Sequence, residues 1–110
     1  MQLSDFVTLL KTVDSSITKN KGNGEENYST WSIGAPAGKH MSDDQAEDTT
    51  QRVYVDRYTT DAEDPIPDQM IEALDKNFIS FEQVYDYEQD TGYHHHNFTC
   101  YVGQPEETED

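Results

Sequence analysis

The stretch Q-R-V-Y-V-D-R-Y-T, from Gln51 to Thr59, decides the fold class of this chain. It is dense in β-branched and aromatic residues and alternates along its length, which predicts a β-strand. Its two faces differ in character: Val53 and Val55 share one face, while Tyr54, Asp56 and Tyr58 share the other. The sequence on either side must therefore supply the other strands and whatever covers the apolar face.

On the C-terminal side of this strand the sequence predicts a helix. Asp64 can cap it, Pro65 suits its first position, and an apolar stripe follows at helical spacing: Ile66, Met70, Ala73 and Leu74. The helix is expected to run to about Lys76, because Asn77 tolerates a left-handed C-terminal cap.

Two further strands follow this helix and form a hairpin. The first covers Ile79 to Glu88, and the second covers Tyr93 to Val102, with Phe98, Cys100 and Val102 on one face. The turn signal Asp90-Thr91-Gly92 joins them.

On the N-terminal side the sequence predicts one helix and one strand. The helix covers Ser4 to Val13, with Ser4 as its cap, and the strand covers Tyr28 to Ile33, with Trp31 and Ile33 on one face. Loops are expected from Lys19 to Asn27 and from Gly34 to Thr50. The second loop is long for so small a domain, and such loops are often functional or disordered.

The predicted order is α-β-β-α-β-β, which indicates an α+β fold. The simplest arrangement is a mainly antiparallel sheet of about four strands with both helices packed on one face. A chain of 110 residues fits a single domain, which we place at residues 1–103. Residues 104–110 are polar and acidic, and we expect a disordered tail there.

The charge balance is extreme, with 23 acidic against seven basic residues and a formal net charge of -16. Such a chain repels nucleic acid phosphates and anionic membranes, so neither direct, sequence-specific nucleic acid binding nor a membrane partner is expected. The single cysteine excludes a disulfide scaffold. The N-terminus shows no signal-peptide pattern and no apolar run approaches membrane length, so we expect folding in a cytoplasm.

Candidate chemical groups are few, and we predict no catalytic, cofactor-binding or metal-binding residue. His94 and His96 share one strand face and could hold a transition metal, but no helical HExxH motif or cysteine pair supports them. Cys100 lies in a strand pattern typical of a small buried hydrophobe. An exposed or interface strand rich in amphipathic side chains explains the histidines more simply.

Interface candidates come from the long acidic loop and from strand side chains. Tyrosine is enriched at protein–protein interfaces because its ring is apolar and its tip is polar. The candidates are Met41, Asp43, Asp44, Glu47, Asp48, Tyr54, Tyr58, His94 and His96.

The arrangement of elements resembles the tail-terminator and head–tail joining proteins of long-tailed bacteriophages that infect Gram-positive bacteria. The resemblance is carried by an acidic loop leading into a strand that ends in Tyr58-Thr59, and by the helix end I-E-A-L-D-K-N at Ile71 to Asn77. Phe81-Glu82, the final hairpin and the opening L-S-D-F-V-T-L-L-K at Leu3 to Lys11 also resemble that family. The strand Y-S-T-W-S-I is more polar than its counterpart there.

This resemblance implies a non-catalytic virion protein that assembles into a ring, usually a hexamer. The ring would cap the tail tube, bind the tube protein and the head connector or stopper protein, and let DNA pass. Assembly would take place in the host cytoplasm before the protein enters the tail or neck of the virion. The Gly34 to Thr50 loop is then the candidate for the lumen or for a ring contact.

Two other function classes remain open from the residues alone. An acidic chain can mimic DNA and inhibit a nucleic-acid-binding host protein, as anti-CRISPR or anti-restriction factors do. The third class is an enzyme or metal site built on His94 and His96.

Overall fold

The computed structural model describes residues 1–37 and 50–103 and contains two helices and five strands. The elements are α1 (Leu3–Val13), β1 (Thr18–Lys19), β2 (Tyr28–Ala37), β3 (Thr50–Thr59), α2 (Ile66–Lys76), β4 (Ser80–Glu88) and β5 (Tyr93–Gly103). The predicted α+β class is confirmed. The predicted interface candidates Met41, Asp43, Asp44, Glu47 and Asp48 and the predicted acidic tail lie outside the described residues.

The strands form one mixed sheet in the order β1-β2-β3-β5-β4. β1 and β2 are parallel, and every other neighbouring pair is antiparallel. The sheet is mainly antiparallel, as predicted, but it has five strands where about four were predicted, and one pair is parallel, so the sheet is mixed. The additional strand, Thr18–Lys19, overlaps the predicted loop only at Lys19, and two residues are too few to produce an alternating pattern.

Both helices cover the same side of the sheet, which we call the helix face; the other side is the open face. The core lies between helices and sheet and consists of Phe6, Leu10, Ile17, Val53, Val55, Met70, Leu74, Ile79, Phe98, Cys100 and Val102. The predicted alternation of β3 and β5 is confirmed, because Val53, Val55, Phe98, Cys100 and Val102 are all buried.

The helix ends differ from the prediction by small amounts. Ser4 lies inside α1 rather than capping it, since the helix begins at Leu3. Asp64 does accept a hydrogen bond from the Ile66 amide, at 3.1 Å, one position before the cap. α2 ends at Lys76 as predicted, but the left-handed residue is Phe78, with φ 58°, and not Asn77.

A buried arginine ties both helices to the sheet. The Arg57 guanidinium donates to Asp64 at 2.8 Å and to Asp14 at 3.3 Å, and it also donates to the Ser29 hydroxyl at 3.3 Å. Burial raises the pKa of Asp64, but hydrogen bonds from the Ile66 amide and from Arg57 outweigh it and hold that pKa below the ordinary value of an aspartate. Asp14 follows α1 and Asp64 precedes α2, so one cation fixes where both helices meet β3.

Candidate functional site

In the described part of the chain, β4 is one of the two outer strands of the sheet, and we call its outer side the β4 edge. β4 runs for nine residues, Ser80–Glu88, and pairs along its whole length with β5 on its inner side. An edge of this length presents a row of backbone N–H and C=O groups that can pair with another chain. Proteins that remain monomeric usually shorten or cover such an edge.

Exposed apolar side chains are concentrated at this edge. Among the described residues six large hydrophobic side chains are exposed, and four of them lie between Phe78 and Tyr87. Phe78 is 95% exposed and Val84 is 60% exposed, followed by Tyr85 and Tyr87. Val84 lies on the open face and Tyr85 and Tyr87 lie on the helix face, so exposed apolar side chains flank this edge strand on both sides, which favours its pairing with another chain.

Phe78 owes its position to the way α2 ends. The Ile79 amide donates to the Leu74 carbonyl at 3.0 Å, and the Phe78 amide donates to the Asp75 carbonyl at 3.1 Å. These two bonds form a Schellman motif, in which the residue at the position of Phe78 takes a left-handed conformation and is usually glycine. Ile79 then turns into the core and Phe78 points away from it.

An open cavity of about 520 Å³ lies beside Phe78. Its lining consists of Asp75, Phe78, Ile79, Ser80 and Phe81. The cavity is bordered by two aromatic rings and a carboxylate, so it is suited to an apolar side chain that has a cation nearby.

The opposite edge of the sheet, formed by β1, is positively charged, whereas the segment that contains β4 is negatively charged. Residues 15–24, which include β1, contain Lys19 and Lys21 and no carboxylate. The Lys19 ammonium lies 5.3 Å from the centre of the Trp31 ring, within cation–π range. Ile33, on the same face of β2 as Trp31, is 40% exposed.

The three consecutive histidines point as the alternation predicted, with His94 and His96 on the helix face and His95 on the open face. A hydrogen bond of 2.6 Å joins His94 Nδ1 to the Tyr85 hydroxyl, and Tyr85 also contacts the His96 ring. Burial lowers the pKa of His96. No group of three or more His, Cys, Asp or Glu side chains suited to a metal occurs in the described ranges.

Tyr58 belongs to an aromatic cluster on the open face. Its ring stacks on Tyr28 at 4.9 Å and on His95 at 4.2 Å, and Tyr93 meets both tyrosines edge-on. Burial raises the pKa of Tyr28 and of Tyr58. The cluster joins β2, β3 and β5, so it stabilises strand pairing.

One carboxylate, Asp56, and one amide, Asn97, lie next to this cluster on the open face. The Asp56 carboxylate accepts a hydrogen bond from Asn97 at 2.8 Å and is joined to His95 at 2.7 Å. Tyr54, the remaining predicted candidate on β3, lies further along the same face, where its ring is close to Gly34.

Cys100 is fully buried in the core. Burial raises the pKa of its thiol to about 12, which disfavours the thiolate needed for nucleophilic attack. The interpretation of Cys100 as a small buried hydrophobe is confirmed.

The four predicted candidates that the structure describes lie apart rather than together. His94 and His96 lie near the β4 edge, whereas Tyr54 and Tyr58 lie on the open face of β3. Sequence reasoning did not select Phe78 or Val84. A signal was present for Val84, because it shares its strand face with Glu82 and Asp86 and is therefore an apolar residue on a charged face.

Comparison with known proteins found no family model, no curated protein and no solved structure that matches this chain. No helix in the described residues combines the length and apolar character needed to cross a bilayer.

Proposed function

We propose that this protein is a non-catalytic structural subunit that acts by assembling with further copies of itself into a closed ring. The observation that carries the proposal is the β4 edge: within residues 1–37 and 50–103, this nine-residue strand has no partner on its outer side, and it bears exposed Val84, Tyr85 and Tyr87. Pairing this edge with another chain satisfies its backbone groups and removes apolar surface from water, which favours association.

The proposed ring requires head-to-tail contacts, in which two different patches of the subunit meet. β4 and β1 lie at opposite ends of the sheet, and the ladder pairings make them run in opposite directions. A second copy placed beside the first therefore presents its β1 antiparallel to β4. This geometry supports repeated addition of copies in one direction, which closes into a ring when the rotation between neighbours permits.

The resemblance to tail-terminator and head–tail joining proteins gives the proposal its specific form. In that form the ring is a hexamer that caps the tail tube and binds the tube protein and the head connector. The net charge of -16 is compatible with a lumen that lets DNA slide without retaining it. The protein would assemble in the host cytoplasm and then remain in the neck or tail of the virion.

The native mass of the purified protein tests the proposal. Light scattering over a range of protein concentrations should give a multiple of the 12.6 kDa chain, and negative-stain electron microscopy of the same sample should show closed rings. Tail-tube protein from the same phage, added in a second series, should either leave the rings intact or promote them. A monomer or dimer in both series would contradict the proposal.

A second candidate function is supported by the charge of the open face. Asp56, Glu82, Asp86 and Glu88 all lie on that face, so a basic protein could bind there in place of DNA. This DNA-mimic function requires a monomer or dimer. It also requires a complex with a nucleic-acid-binding protein that dissociates as salt is raised, because salt screens exposed charges.

A further inference from the structure

We infer that neighbouring copies in the proposed ring meet through two specific surfaces, with Phe78 as the central contact. The anchor surface consists of Asp75, Phe78 and Phe81, and the receiving surface consists of Lys19, Trp31 and Ile33. The inference rests on the proposed function. It specifies which surface of each copy forms the contact and which side chains meet there.

The backbone at Phe78 is the first reason to assign it a role in binding. A left-handed conformation places the Cβ of an ordinary residue close to the following carbonyl, which is unfavourable by roughly 1–2 kcal/mol per residue. Phe78 adopts φ 58° and its side chain is 95% exposed, so the monomer gains no core packing from the ring in return. Strained residues that bring no packing are concentrated at functional sites.

The strand pairings place Phe81 of the anchor surface and the three residues of the receiving surface on the helix face. Phe81 pairs with Cys100, which pairs with Val53, and Val53 pairs with Ile33. The next line on this face runs Gln83, Phe98, Val55, Trp31, Lys19. A copy added sideways along the sheet therefore brings Lys19 of its β1 beside β4 of the first copy at the height of Gln83, and its Ile33, one strand further in, lies at the height of Phe81.

Shape and charge are complementary between these surfaces. The anchor surface surrounds an open cavity with two rings and the Asp75 carboxylate. The receiving surface offers the exposed Ile33 side chain and, beside it, the Lys19 ammonium held over Trp31. An apolar side chain can pack against the two aromatic rings of such a cavity, and a neighbouring cation is attracted to its carboxylate and to the ring faces.

Charge also argues for head-to-tail contact over a two-fold contact between two β4 edges. Residues 77–92 contain four carboxylates and no lysine or arginine. An antiparallel β4–β4 pair centred on Val84 sets Glu82 of one copy opposite Asp86 of the other, and like charges directly opposite are destabilising. Residues 15–24 carry two lysines and no carboxylate, so the receiving edge does not repel β4 in this way.

The experiment uses one variant of each surface. Phe78→Ala removes the anchor ring, and Ile33→Asp places a charge in the receiving surface. Each variant alone should associate at least about 30-fold more weakly than the wild type, because truncating a central contact typically has this effect. Phe78→Tyr keeps the ring and serves as the matched control, which should still assemble. Circular dichroism verifies that every variant folds.

Mixing the two variants decides the geometry. A head-to-tail contact leaves one good interface in the mixture, between the anchor of the Ile33→Asp protein and the receiving surface of the Phe78→Ala protein. Light scattering should then report a complex with one copy of each variant, although each alone is a monomer. Absence of this mixed dimer would overturn the head-to-tail assignment.

A charge exchange provides an independent readout. Asp75→Lys and Lys19→Glu should each weaken assembly, and the double variant should recover it, because it again brings opposite charges to the two sides of the same contact. If the wild type forms rings and all these variants form them equally well, the surfaces are wrong and the proposed function stands. If the wild type is monomeric under every condition, both proposals fail.

Discussion

Replacing Phe78 with glycine should make the folded monomer more stable. Replacing a buried phenylalanine with glycine would have the opposite effect. Phe78 occupies the left-handed position of the Schellman motif after α2 with φ 58°, and glycine adopts that conformation without a steric penalty. The side chain is 95% exposed, so its removal takes almost no apolar surface out of the core.

The size of the effect follows from two opposing contributions. Relief of the left-handed strain contributes roughly 1–2 kcal/mol in favour of glycine. The greater freedom of glycine in the unfolded chain opposes folding by about 0.4–1 kcal/mol. The difference between the two contributions lies between about 0 and 1.6 kcal/mol, and its midpoint is a net gain of about 0.8 kcal/mol in the free energy of unfolding. For a domain of this size that gain raises Tm by roughly 2–6 °C.

The assay is urea or thermal unfolding followed by the fluorescence of Trp31, the single tryptophan, which packs against the core. Every protein should carry Ile33→Asp as well, so that association does not add to the measured stability. Phe78→Ala is the matched comparison, because alanine removes the ring and keeps the Cβ that causes the strain. A Phe78→Gly protein no more stable than Phe78→Ala would refute the reasoning about strain.

Three further outcomes follow from the core. Arg57→Met should lower the free energy of unfolding by about 3–5 kcal/mol in urea titrations, because it leaves Asp14 and Asp64 without their buried cation. The lowered pKa of Asp64 contributes stability that is present above the ordinary pKa of an aspartate and is lost as the pH falls through the lowered pKa. The stability difference between wild type and Asp64→Asn should therefore shrink on acidification, and a constant difference would contradict this assignment. Cys100, whose pKa is raised to about 12 by burial, should react with a thiol reagent only upon unfolding, and a reaction rate unchanged by urea would argue against a buried thiol.

The strand faces could be predicted because alternation is a local property. β3 and β5 alternate in burial as their sequences alternate in polarity, and the inward position of Arg57 follows from the same period. Its partners could not be predicted in this way. Asp14 and Asp64 lie 43 and seven positions from Arg57 along the chain and meet it only because α1 and α2 pack on one face.

The edges of the sheet could not be predicted from the sequence. β5 inserts between β3 and β4, so that β4 becomes an outer strand, and no local pattern distinguishes an edge strand from a central one reliably. The two-residue strand β1 was missed for a related reason, since its existence depends on pairing with β2 rather than on its own side chains. None of the predicted candidates lies on the β4 edge itself, and only His94 and His96, on the neighbouring strand β5, lie close to it.

The sequence by itself determined the α+β class, the helices, the alternating core strands and the acidic surface, because propensity, periodicity and charge act over a few residues. Only the tertiary structure decided that β4 is an edge and that Phe78 lies outside the core. Phe78 and Phe98 have the same side chain, and one is 95% exposed while the other is fully buried. The physical reason is that burial depends on the backbone direction at each position and on which element arrives from elsewhere in the chain.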